Sequence, residues 1–97
     1  KLKAFLSEFS PDERTTLYRF VAFQDVFSID WLSNTDVLPS HLLTVISFLE
    51  RKQWISPVRT VKGMYAWTPA FPRDALVASI PGEEMTRYYR DAVNILA

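Results

Sequence analysis

A chain of 97 residues with 11 Lys and Arg against 11 Asp and Glu is formally neutral, 48% apolar and without cysteine. That length suits one globular core, able to bury roughly 60 to 70% of the surface of the extended chain, and apolar content this high with two glycines excludes a disordered or low-complexity segment. The absence of cysteine excludes a disulfide framework and thiolate chemistry and fits a reducing, cytoplasmic compartment.

The opening Lys1-Leu2-Lys3 has no small-residue cleavage site after it, which predicts no signal peptide and a piece of a longer polypeptide. Leu2, Phe5, Leu6 and Phe9 recur at helical spacing and predict a short amphipathic entry helix. Ser10-Pro11-Asp12-Glu13 is a helix start, with Ser10 as N-cap, Pro11 at the first helical position and Glu13 placed to close a capping box. The helix that follows, roughly Pro11 to Phe23, sets Leu17, Phe20 and Val21 on one side. Gln24 to Phe27 breaks the period and is read as a short strand that supports a hairpin further on, since two strands alone are marginal in water.

Ser28 then caps a short helix carrying Ile29, Trp31 and Leu32, and Asn34-Thr35-Asp36 is turn chemistry. Pro39 opens a helix with a broad apolar face of Leu42, Leu43, Val45, Ile46, Phe48 and Leu49, so the two helices form a helix-turn-helix candidate. The longest uncharged stretch, Val37 to Leu49, falls short of the ~20 residues of a membrane span. Trp54 to Val58 and Met64 to Trp67 are strands around the tip Arg59-Thr60-Val61-Lys62-Gly63, with Trp54, Ser56 and Val58 facing opposite to Ile55 and Pro57. Pro57 has no N–H for a ladder and predicts an edge strand, while Gly63 is the natural site of positive φ. Phe71-Pro72-Arg73-Asp74 opens another short helix, Pro81-Gly82 interrupts it, and a last helix from Glu83 carries Met85, Tyr88 or Tyr89, Ala92, Val93 and Leu96 in an apolar stripe.

These elements predict an α+β, mostly helical fold: a winged helix-turn-helix with a small β-hairpin wing and extra terminal helices. Residues 1–80 make the domain with its entry helix, and residues 81–97 make a C-terminal helix that starts a connection to helical repeats.

Catalytic chemistry is hard to assemble. His41 is the sole histidine, no G-x-S-x-G elbow exists, and one histidine without cysteine does not make the usual zinc sets. Gly63 and Gly82 are isolated, so neither a phosphate-binding loop nor a dinucleotide fingerprint is present. The sequence reading is therefore of a non-enzyme with no cofactor or metal. Charge is unevenly spread, because Arg51, Lys52, Arg59, Lys62 and Arg73 follow one another with no acid among them. Arg51, Lys52, Arg59 and Lys62 are the candidate DNA-binding residues, with Ser40, His41, Thr44, Ser47 and Arg51 as the exposed positions of the second helix. Four phosphate contacts would give a salt slope of about −3 to −4. The bland alternative is a solvated basic face on a neutral domain.

Three segments carry a family resemblance. Phe9-Ser10-Pro11-Asp12-Glu13-Arg14 with Leu17, then Leu42 to Ile55, then Tyr65-Ala66-Trp67 followed by Arg73-Asp74-Ala75-Leu76 resemble the winged-helix domain of signal-transduction ATPases with numerous domains, a family that includes LuxR-type regulators such as the maltose-regulon activator. The resemblance implies a spacer between a nucleotide-binding switch and helical repeats, with Tyr88-Tyr89-Arg90-Asp91-Ala92 beginning the connection to those repeats. The family often places a histidine four residues after the strand tyrosine, where it reaches the nucleotide phosphate; here that position is Pro69, and no nucleotide site is carried over.

The expected function is thus a non-catalytic interaction module of a cytoplasmic signal-transduction or transcription regulator, partnered by neighbouring domains or by a second copy, without a membrane. Phe5, Phe9, Tyr88, Tyr89 and Val93 are the candidate domain-interface residues, because they lie on terminal helices that a minimal winged helix does not need. The competing expectation is a sequence-specific DNA-binding winged helix, and a third is a protein-docking winged helix with no nucleotide switch beside it.

Overall fold

The computed structural model describes residues 2–33, 35 and 37–96, without the side chains of Leu2 and Lys3. Asn34 and Asp36 of the expected turn, and the apolar contact expected of Leu2, lie outside what is described. The fold is α+β and mostly helical, with a small three-stranded antiparallel sheet. It divides into two compact units, Lys1–Phe23 with Pro72–Ala97, and Gln24–Phe71.

The first unit holds α1 (Leu2–Leu6), α2 (Pro11–Val21), a helix at Arg73–Ser79 and a helix at Gly82–Leu96. The expected capping box is present at α2: Ser10 Oγ accepts from the Glu13 N–H at 3.2 Å, and Glu13 Oε1 accepts from the Ser10 N–H at 2.9 Å. The helix ends at Val21, two residues before the expected end, and no glycine follows to receive its last carbonyls. Arg73 serves instead, its guanidinium donating to the Val21 and Phe23 carbonyl oxygens. Arg73 thus acts as a helix cap, not as part of the basic face with which the sequence groups it. The entry helix stops at Leu6, and Phe9 falls in the turn beyond it, where its N–H donates to the Leu6 carbonyl. Leu17, Phe20 and Leu76 are fully enclosed, each burial worth about 1.5–3 kcal/mol relative to exposure. The C-terminal helix belongs to this unit and packs on α2.

The second unit runs β1 (Val26–Ser28), α3 (Asp30–Ser33), α4 (Pro39–Arg51), β2 (Ile55–Pro57) and β3 (Met64–Trp67), which leaves Arg73–Ser79 as α5 and Gly82–Leu96 as α6. The sheet order is β1-β3-β2. Phe27 lies opposite Tyr65 on one side of β3, and Pro57 opposite Tyr65 on the other, so β2 is an edge strand as its proline requires. Strand β1 lies two residues later than Gln24. Ser28 ends it and also accepts from the Asp30 N–H through Oγ, at 3.2 Å, at the start of α3. In β2 only Ile55 is buried; Ser56 and Pro57 are both exposed, so the expected alternation of faces does not translate into alternating burial on this short edge.

Helix α4 begins at Pro39 without a side-chain cap and ends in a Schellman motif. The Trp54 N–H donates to the Leu49 carbonyl at 3.0 Å, and the Gln53 N–H to the Glu50 carbonyl at 2.9 Å. Gln53 takes φ 60°, and the chain turns directly from helix into β2. Thr68 fastens this junction, donating through Oγ1 to the Gln53 carbonyl at 2.8 Å and through its N–H to the Trp54 carbonyl at 2.9 Å.

Candidate interaction surfaces

Helix α4 buries Leu42, Val45, Ile46, Phe48 and Leu49. At 100° per residue, Ser40, Thr44, Ser47 and Arg51 share an arc of about 60° on the opposite side, and all four are exposed. His41 lies about 60° beyond that arc, beside the buried face, and is half-buried. Two residues alter the character of the surface. Leu43 is 62% exposed and Glu50 is exposed, both on one flank of the hydroxyl row. Leu43 therefore does not belong to the apolar face with which its hydrophobicity groups it. A wheel drawn through the row alone puts Leu43 about 60° from Ser40 and about 100° from Leu42.

Arg51 and Lys52 sit at the α4 C-terminus, where the helix dipole favours cations. Both lean over the Phe48 ring, at 5.5 and 5.6 Å from its centroid, a cation–π arrangement of about 0.5–1 kcal/mol at an exposed site. Phe48 in turn meets Trp54 edge-on at 6.0 Å, Trp54 meets Phe71 at 5.6 Å, and Phe71 stacks on Trp67 at 4.2 Å. The tryptophans of the hairpin therefore pack in an aromatic chain beneath the strand ends, with Phe27 joining at 5.1 Å from Trp67.

Arg59 and Lys62 occupy the hairpin tip, both exposed, with Val61 45% exposed between them. The tip is closed by the Val58 N–H donating to Met64 O at 2.8 Å and by Gly63 at φ 82°. Three strand residues at about 3.3 Å rise set the tip roughly 10 Å from the hairpin base. The four candidate cations thus form two pairs, one at each end of the hairpin.

In the first unit Phe5, Phe9 and Tyr88 are buried, at 7, 5 and 3% exposure, and present no exposed apolar stripe. This corrects the expectation for those three residues: their aromatic rings fill interior space. Tyr88 stacks obliquely against Tyr18 at 6.3 Å and donates its hydroxyl to Glu84 Oε1 at 2.5 Å, four residues back on α6. Burial first, then the hydrogen bond and charge of Glu84, raises the Tyr88 hydroxyl pKa, against hydrogen bonds from Arg87 and Thr15 that lower it. The Tyr18 hydroxyl is raised by burial, opposed by the Arg14 charge and assisted by Glu84. Tyr89 is half-buried, whereas Val93 is 66% and Leu96 59% exposed. Tyr89, Val93 and Leu96 follow one another at i, i+4 and i+7, along the margin of the buried α6 stripe of Met85, Tyr88 and Ala92.

Among the described residues no three His, Asp or Glu side chains gather as a metal-holding group, and no helix is long and apolar enough to cross a membrane. Pro69 is exposed in the turn after β3. No protein-family model, curated protein or solved structure matches the chain.

Proposed function

We propose that the chain is a winged-helix interaction module of a larger cytoplasmic regulator of signal transduction or transcription, non-catalytic itself and coupling a nucleotide-binding switch to a sensor. The observation that carries this reading is connectivity. A helix at Pro11–Val21 precedes β1, α3, α4, β2 and β3, and the sheet order β1-β3-β2 puts the last strand in the centre. This order of elements supports a winged helix, with the Arg59 to Gly63 tip in the place of the wing. The role within a regulator rests on the family resemblance of the three segments, and Pro69 in place of a histidine supports a spacer without a nucleotide contact of its own.

Two observations favour protein over nucleic acid as the partner. The exposed side of α4 combines three hydroxyls and one cation with an apolar side chain and a carboxylate, Leu43 and Glu50, whereas base reading favours Arg, Asn or Gln. A further exposed apolar surface is on α6, where Tyr89, Val93 and Leu96 suit packing against a neighbouring domain. Phe5, Phe9 and Tyr88 drop out of that contact set because they are buried.

Duplex titration by fluorescence anisotropy at two salt concentrations tests the choice of partner. No saturable binding is expected at either. Binding with a salt slope of about −3 to −4, weakened in Arg59→Ala and Lys62→Ala, would replace this reading with the DNA-binding one. In the parent polypeptide, α6 amides should change hydrogen-exchange protection with the nucleotide state, and Val93→Asp should abolish that change.

A further inference from the structure

We draw no further inference here: the strongest candidate, the apolar stripe of Tyr89, Val93 and Leu96 along the C-terminal half of α6, belongs to the surface already assigned to a neighbouring domain, and nothing in the structure shows what covers it.

Discussion

Gln53 holds a left-handed backbone, φ 60°, at the position after a helix where glycine is the usual residue. A side chain there brings Cβ against the following carbonyl at a cost of about 1–2 kcal/mol. The conformation persists because three hydrogen bonds demand it: Gln53 N–H to Glu50, Trp54 N–H to Leu49, and Thr68 Oγ1–H to the Gln53 carbonyl. Gln53→Gly removes the clash but loosens the unfolded chain by about 0.4–1 kcal/mol, so a net gain of about 0.5 kcal/mol is expected in urea unfolding. Gly63 is the mirror case. Its φ of 82° suits glycine, and a Cβ added there meets nothing within 4 Å, so the loss on Gly63→Ala is purely conformational. The same two quantities with opposite sign predict a net loss of about 0.5 kcal/mol. Equal signs for the two substitutions would show that the Gln53 side chain stabilises the fold by more than its backbone strain costs.

At the scale of elements, what was legible in the sequence is what short-range chemistry decides. The α2 start follows from Ser10, Pro11 and Glu13 within four residues, and the edge position of β2 from the missing N–H of Pro57. The third strand at Val26–Ser28 was readable because the hairpin needs a neighbour, though it sits two residues later than Gln24. The α2 end was not legible, because its cap comes from Arg73, 52 residues from Val21 and 50 from Phe23. In sequence Arg73 resembles one more cation after Arg59 and Lys62; only tertiary structure reveals that its donors satisfy helix carbonyls. Periodicity has a matching limit at the surfaces. It groups Phe5 with Phe9, and Tyr88 with Val93, but it does not say which is covered; burial separates Tyr88 at 3% from Val93 at 66%. The Arg73 cap is testable. Arg73→Met keeps most of the apolar stem and removes both charged hydrogen bonds, each of the 1.5–3 kcal/mol class when well buried. Since Arg73 is half-buried, a loss of about 2 kcal/mol is expected for the pair. Hydrogen exchange should locate the change in the last turn of α2, and unchanged protection there would mean that water replaces the guanidinium without loss.

For the molecule as a whole, titration ties stability to alkaline pH through groups in both units. Tyr18 and Tyr88 in the first unit and Tyr65 in the second all have hydroxyl pKa values raised above 10, each by burial first; Glu50 adds its charge at Tyr65, and Glu84 at Tyr18 and Tyr88. A raised folded-state pKa means that above about pH 10 the unfolded chain loses these protons before the native one does. The unfolded state then binds fewer protons, and the slope of stability with pH is negative. The stabilisation is complete below pH 10 and is lost as pH rises from there through the folded-state values. Urea midpoints measured at pH 8 and at pH 11 should therefore differ, the alkaline one being lower. Tyr18→Phe and Tyr88→Phe each remove one titrating hydroxyl from the α2–α6 contact, so each variant should lose less stability between the two pH values than the parent does. Tyr88→Phe also deprives Glu84 of its hydroxyl donor, which lowers stability at pH 8 by about 1 kcal/mol while flattening the alkaline fall. An alkaline fall of undiminished size in both variants would remove these hydroxyls as its source. A fall confined to one unit, read by hydrogen exchange, would assign the loss to Tyr65 alone or to the α2–α6 pair alone.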